Sequence, residues 1–333
     1  MKKLTIFFII VDILVAACFF LFYGPYENFK RTIINTAMVT KTHQYIAYTF
    51  YDEATVKEIM SADAYIPIDE DMDLNAITID TTPKDTYENE YDEQILTRDP
   101  GNEDYKYIKV KVGEYEAHLV AIYDPSRVKM ITSKSFNTGT GAERIKDMCK
   151  RLGGKVCING GRFKDPDGWG SDIPVGYLIK DGKVIWSDRT SKQELIGFTN
   201  DNKLLLIKAT AEDAIEKGMR DALQFGPFLI VNGKSLQYVS TSGGYARAAR
   251  TAIAQRRDGV VLFLVTEGTH GAGPNLKEVI ALLEKYGAYN AASLDGGTSS
   301  QLVINNKLIN TPVNVFGQAI KDGRRVVSGF GLF

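Results

Sequence analysis

The sequence predicts an α+β fold, mostly antiparallel sheet with a few packed helices, preceded by one N-terminal transmembrane helix. Three observations carry that reading. Short runs alternate apolar and polar residues at period two, as in Tyr105-Lys106-Tyr107-Ile108-Lys109-Val110-Lys111-Val112, the mark of a strand with one buried face. Two-residue turn pairs recur between apolar runs: Asp181-Gly182, Asn232-Gly233, Asp258-Gly259, Asn305-Asn306 and Asp322-Gly323. Such pairs supply the positive φ angles of tight antiparallel hairpins. Capped helical spacing is confined to a few segments, so sheet dominates.

At the N-terminus, Leu4 to Tyr23 are apolar or small except for Thr5 and Asp12, behind Lys2 and Lys3. Twenty residues at helical rise span about 30 Å, the thickness of a bilayer core. The positive flank should stay in the cytoplasm, sending everything after Gly24-Pro25 outside. A cleaved signal peptide is one alternative, and a lipoprotein processed at Val15-Ala16-Ala17-Cys18 is another. The apolar run continues through Phe19-Phe20-Leu21-Phe22, past the expected cleavage point, so the expectation is an uncleaved anchor over residues 1–25. Asp12, costly inside a span, either reaches the head groups or pairs within an oligomer.

Residues 26–104 read as an extracytoplasmic stalk and acidic linker. Asp69-Glu70-Asp71-Met72-Asp73 and Glu88-Asn89-Glu90-Tyr91-Asp92-Glu93 hold too little apolar surface to offset their ordering entropy. Their spacing matches no calcium-binding loop. The domain expected to carry chemistry is 105–333. Its clearest helix runs from Leu276 to Tyr286, with Asn275 as N-cap, Glu278 three residues on and Gly287 past the end. Ala142 to Leu152, stopped by Gly153-Gly154, and Ala211 to Lys217 behind Thr210 are two more.

The 333-residue chain has 40 basic and 41 acidic residues, so no global field draws a polyanion and no nucleic-acid partner is expected. Three cysteines cannot build a disulfide framework, and no Cys/His cluster suggests zinc. Cys149 and Cys157 are either buried small hydrophobes or one disulfide.

Four stretches hold more Gly, Asn, Asp and Arg than a sheet needs. Asn159-Gly160-Gly161-Arg162 follows a strand end, where paired glycines can expose amides to an oxyanion or simply turn. Arg247 and Arg250 lie just ahead of a strand beginning near Thr251, spaced for bidentate phosphate capture or for surface salt bridges. Asp295-Gly296-Gly297-Thr298-Ser299-Ser300 places a carboxylate where a strand opens into a glycine turn. Asn310-Thr311-Pro312 and Arg324-Arg325 complete the set.

Together these stretches resemble the phosphodiester glycosidase family, whose elements stand here in family order. They are Asn159-Gly160-Gly161, Gly226-Pro227, Arg247 with Arg250-Thr251, Gly287-Ala288 before Leu294-Asp295-Gly296-Gly297, and Asn310-x-Pro312 before Arg324-Arg325. The resemblance covers about residues 105–333. The region from Tyr23-Gly24-Pro25 through His43-Gln44-Tyr45 also resembles membrane-anchored bacterial members of Gram-positive organisms. Arg162 stands where the family usually has an aromatic residue, and Thr298 where it often has Gly or Ser; both bear on substrate identity. The resemblance implies hydrolysis of a sugar-1-phosphodiester, with a phosphate-containing glycan or wall polymer as partner and no cofactor; a divalent cation is left open.

Such chemistry needs the departing phosphate held and carboxyl groups to assist water or the oxocarbenium-like sugar. Asp295 is the leading carboxylate. Glu267, with His270 three residues on, follows the apolar strand Val260 to Val265 and offers an acid/base pair, although His270 could equally close a polar loop. Asn159, Gly160, Gly161, Arg162, Arg247, Arg250, Thr251, Gly296, Gly297, Ser299, Arg324 and Arg325 are the candidate substrate and phosphate contacts. Asp165, Asp167 and Asp172 could bind sugar hydroxyls or a cation, with Trp169 stacking on a ring. A non-catalytic glycan-binding or polymer-assembly module using the same pocket is the alternative function.

Overall fold

A computed structural model of the chain describes residues 2–39, 44–62, 64–68, 70–165, 170–239, 246–269, 271–314 and 317–333. The chain divides into two units, Met1–Tyr65 with Tyr238–Arg247, and Ile66–Gln237 with Ala248–Phe333.

The first unit is helical. Helix Lys2–Tyr23 exposes its large apolar side chains, and its stretch Lys3–Tyr23 is long and apolar enough to cross a membrane. Helices Glu27–Val39, Gln44–Phe50 and Glu53–Ala62 follow, burying Ile34, Ala47, Val56 and Ile59 together, with Phe22 stacked on Phe50 at 4.1 Å.

Three large antiparallel sheets dominate the second unit. The seven-stranded sheet runs Lys234–Ser235, Phe228–Val231, Ala288–Leu294, Thr251–Arg256, Val261–Thr266, Tyr115–Ile122, Tyr105–Val112. A five-stranded sheet runs Leu204–Ala209, Gln193–Thr199, Met219–Gln224, Tyr177–Lys180, Lys183–Ser187. The other five-stranded sheet runs Lys307–Leu308, Leu302–Ile304, Val156–Asn159, Ser328–Leu332, Val128–Thr132. One core joins all three: Val120, Ile253 and Leu294, Ile196, Phe198 and Leu223, and Ile158, Leu302 and Phe330 belong to a single buried cluster.

Each sheet's other face takes a helix. Leu276–Lys285 buries Val279, Ile280 and Leu283 against Leu119, Ala121 and Leu262. Ile145–Leu152 covers Ile131 and Val303, and Ala211–Glu216 covers Leu195 and Leu205. Because Val120 and Leu119 point to opposite buried faces, the run Leu119–Ile122 is apolar throughout instead of alternating. Each such fully buried aliphatic side chain contributes about 1.5–3 kcal/mol.

The turn chemistry is as expected in four of the five pairs, where both residues have positive φ; in Asp258-Gly259 only Gly259 does, at 89°. The predicted capping box forms, with the Asn275 side chain accepting from the Glu278 N–H and the Glu278 carboxylate accepting from the Asn275 N–H. The second helix starts later than its sequence suggests, at Ile145, because Glu143–Arg144 pairs as strand with Arg325–Val326. Cys149 and Cys157 form a disulfide tying helix Ile145–Leu152 to strand Val156–Asn159.

The acidic stretch overturns its composition. Among its described residues, Ile77, Ile95 and Leu96 are buried, and the Thr78 and Asp80 N–H groups donate to Arg257 and Asp258 carbonyls. Helix Glu90–Leu96 is capped by Asn89, and its buried Asp92 meets Arg256 Nη1 at 2.7 Å. Three apolar anchors and one buried ion pair order a segment whose average charge argued for solvation.

Candidate active site

Several chain segments leave the shared core together. Ile158 leads into Asn159-Gly160-Gly161-Arg162, Leu294 into Asp295, and Leu223 into Phe225-Gly226. Asn159, fully buried, is the keystone. Its Nδ2 donates to the Asp295 carbonyl at 2.5 Å, and its Oδ1 accepts from the Thr251 hydroxyl and the Gln301 N–H, each at 2.9 Å. Asp295 N–H donates to the Gly160 carbonyl at 2.9 Å. Motifs far apart in sequence thus become one site.

That geometry corrects several sequence expectations. Asn159 and Thr251 are spent on each other and buried, so they position the site and do not face a ligand. The Gly160, Gly161 and Arg162 amides do not cradle an oxyanion, because they donate to Ser328 O, Ser328 Oγ and Gln224 O. The glycines serve packing: a Cβ on Gly160 would meet Leu223 Cδ2 at 2.4 Å and Gly329 Cα at 2.9 Å. Gly296 and Gly297 likewise hug the chain before Arg250, with Gly297 N–H donating to Ala249 O at 2.7 Å.

Asp295 itself is half-buried at the end of a fully buried strand. Burial pushes its carboxyl up to about 6, while a Ser299 hydrogen bond and the positive charges of Arg324 and Arg162 pull the other way, and Asp165 adds to the rise. A carboxyl so placed changes ionisation near neutral pH, as general acid–base work requires. Arg324 donates from Nη2 to Asp165 at 2.6 Å and lies over the Phe163 ring at 5.1 Å. Arg162 is exposed, its guanidinium 5.5 Å from the Phe225 ring centre.

The remaining candidates differ in their surroundings. Arg325 Nη1 donates to the Ala142 carbonyl at 2.9 Å on a strand pair of its own. Arg250, half-buried, lies beside the turn after Asp295, its Cα 3.9 Å from where a Cβ on Gly296 would sit, and donates from Nε to the Pro274 carbonyl at 3.2 Å. Arg247 belongs to the helical unit. Asp172 is a clamp: burial works to raise its pKa, but N–H groups of Gly141 and Thr138 and the Thr138 hydroxyl outweigh it and hold the carboxyl below its ordinary value. His270, Asp167 and Trp169 lie outside the described residues.

His118 and Glu194 carried no expectation from the sequence, whereas Glu267 did. Glu267 takes His118 as its partner, Nε2 to Oε1 at 3.1 Å, and also accepts the Thr311 N–H at 3.0 and 3.1 Å. His118 is buried on strand Tyr115–Ile122, its Nδ1 3.0 Å from the Tyr107 hydroxyl. A lone histidine in an otherwise apolar strand was the available signal. Glu116, His118 and Glu267 bring one ligand atom each within 4.8 Å of one another, enough to hold a cation, although Lys109 Nζ already meets Glu116 at 3.0 Å. The second is Glu194 on strand Gln193–Thr199, whose carboxyl is raised by burial against the lowering charges of Lys208 and Arg162.

Comparison with known proteins bears on the family and the fold. The model of the phosphodiester glycosidase family matches residues 153–333, more than half of the chain. The SPbeta prophage-derived uncharacterized protein YomE of Bacillus subtilis strain 168 is 30% identical over 203 residues, covering 57% of this chain and 30% of that protein. The N-acetylglucosamine-1-phosphodiester alpha-N-acetylglucosaminidase of Mus musculus is 23% identical over 238 residues, covering 64% of this chain and 45% of the mouse protein. The chain therefore spans less than half the length of these curated relatives. The solved catalytic domain of the zebrafish enzyme of that name, auto-inhibited by its pro-peptide, matches with a TM-score of 0.56 at 19% identity, over 68% of this chain and 81% of that one.

Proposed function

The chain belongs to the phosphodiester glycosidase family, and from that premise we propose that it hydrolyses the glycosidic bond of a sugar-1-phosphodiester in a phosphate-containing cell-surface glycan. The observation that carries the proposal is the Asp295 carboxyl, set beside the charges of Arg162 and Arg324 at the end of a buried strand. Ionised Asp295 takes a proton from the attacking water or stabilises the positive sugar, and the arginines hold the negative phosphate that departs. Asn159 and the Gly160 carbonyl fix the Asp295 backbone, so the carboxylate is held in place before substrate arrives.

The proposed setting is extracytoplasmic and membrane-anchored. Helix Lys2–Tyr23 supplies the anchor, Lys2 and Lys3 the cytoplasmic flank, and the Cys149–Cys157 disulfide belongs in an oxidising compartment. Protease added to intact cells is expected to release the folded region while residues 1–25 stay in the membrane fraction. Recovery of a soluble form lacking them would replace the anchor with a cleaved signal.

The activity test uses the full-length protein in detergent with an N-acetylglucosamine-1-phosphodiester and other glycosyl phosphodiesters, following release of free sugar. Release abolished by Asp295→Asn supports the proposal. Saturable binding without release would make the protein a glycan-binding module instead.

A further inference from the structure

Glu194 occupies a position that a fold alone gives no reason to fill with a carboxylate. Along strand Gln193–Thr199 it shares a face with Ile196 and Phe198, and both of these lie in the core cluster with Leu223, Ile158 and Leu294. Those same core residues lead directly into the active-site segments. The Glu194 carboxylate is therefore delivered to the rim beside Arg162, whose charge also acts on Asp295.

Contacts agree with that placement. Glu194 lies so close to Gly226 that a Cβ there would come within 2.0 Å of its Oε2. Phe225, one residue earlier, carries the Arg162 guanidinium on its ring. The charged groups facing Glu194 are Lys208, its cross-strand partner, and Arg162, whose charge acts on Asp295 as well. Neither forms an ion pair with it, and no hydrogen bond reaches its carboxyl among the described residues. An unpartnered, part-buried carboxyl keeps its oxygens open to water or to a ligand.

Resting on the hydrolytic reading above, we propose that Glu194 is a second catalytic carboxyl of this site, donating a proton to the departing phosphate while Asp295 serves the attacking water. The step balances with water alone. The C1–oxygen bond to phosphorus breaks with its electron pair on that oxygen, which takes the Glu194 proton. Water's oxygen bonds C1 and one of its protons passes to Asp295. Solvent then returns the Asp295 proton to Glu194, leaving free sugar and a phosphomonoester. Burial that raises the Glu194 pKa keeps the proton available closer to neutral pH.

The test compares full-length wild type with Glu194→Gln on a glycosyl phosphodiester across pH, alongside melting temperatures and the Kd of a non-hydrolysable glycosyl 1-phosphonate. The expected result is a kcat at least about 100-fold lower, loss of the basic limb of the pH profile, and an unchanged or higher melting temperature. A structural role predicts the opposite pattern: a lower melting temperature, an unaltered pH profile and a kcat within about threefold, which would overturn the inference. If wild type binds the phosphonate but releases no sugar, the hydrolytic reading falls and the catalytic role of Glu194 falls with it. In that case a Kd weakened at least about fivefold by Glu194→Ala would retain it only as a ligand contact. Wild type that neither binds nor cleaves overturns both proposals.

Discussion

Two aspartates beside glycine-rich loops, Asp172 and Asp295, are driven in opposite directions. Burial raises both. Asp172 gathers three hydrogen bonds onto one oxygen, from Thr138 N–H at 2.7 Å, Thr138 Oγ1 at 2.9 Å and Gly141 N–H at 3.0 Å, and ends below its ordinary pKa. Asp295 receives one hydrogen bond, from Ser299, and ends near 6. A carboxylate fully served by the protein is a clamp, whereas one left under-served still has something to offer a substrate.

The sharpest way to break that contrast is Asp295→Asn. The side chain is nearly isosteric, so the fold is expected to stay while kcat falls at least about 100-fold. Stability should move the other way. A carboxyl whose folded pKa is raised to about 6 contributes most when protonated, below pH 4, and that contribution is lost as pH rises toward 6. Asparagine escapes the loss, so the variant should melt higher than wild type at pH 8, by an amount worth at most about 3 kcal/mol. The advantage should vanish near pH 4. Near-normal turnover in a well-folded variant would strike Asp295 from the mechanism.

What the sequence revealed of this contrast follows from physical cues. Asp295-Gly296-Gly297 and Asn159-Gly160-Gly161 advertise themselves because tight backbone approach demands glycine, and the structure brings them together. Glu194 gave no such sign. It stands in Gln193-Glu194-Leu195-Ile196, and a strand buried on both faces loses the alternation that would show which way the carboxylate points. His118 showed only as a lone imidazole in a largely apolar run, because the same double burial hides which face it takes. The acidic stretch misled because composition averages over the few residues, Ile77, Ile95 and Asp92, that anchor it.

Next in size is the pair of neighbouring arginines. Arg324 acts on Asp295, whereas Arg325 is spent on the Ala142 carbonyl. Arg324→Lys keeps the charge and loses the planar fork, so KM should rise about tenfold. Arg325→Lys should leave KM within about twofold. Equal responses would mean that adjacency in sequence, and not the geometry around Asp295, governs phosphate contact.

Asp172→Ala sharpens the other side of the comparison. It strips three donors of their acceptor and should cost at least about 2 kcal/mol of stability, with turnover of the folded fraction changed only a few-fold. Because the folded pKa is lowered, the stabilisation that Asp172 provides is present above the ordinary carboxylate range and is lost as pH falls through the lowered value. The gap in melting temperature between wild type and variant should therefore narrow in acid. A gap independent of pH would mean that packing, and not the charge, makes Asp172 matter.

The smallest effect is expected at Glu267, and it tests the rule where the sequence pointed most strongly the other way. Glu267 follows the strand Val261–Thr266, as a catalytic acid would. Its oxygens are already served by His118 Nε2 and the Thr311 N–H. By the logic that separates Asp172 from Asp295, Glu267 belongs with the clamps: it fastens Thr311, next to the Asn310 side chain that binds Leu302 N–H and the Ser300 carbonyl beyond the Asp295 turn. Glutamine at 267 still offers an oxygen to Thr311 and an amide to His118, so Glu267→Gln should lower stability by about 1 kcal/mol and change kcat less than about threefold. Steady-state kinetics beside a melting curve decide it. A 100-fold loss of kcat with an unchanged melting temperature would mean that a well-partnered carboxylate can still be catalytic here, and would put the His118–Glu267 pair, not Glu194, opposite Asp295.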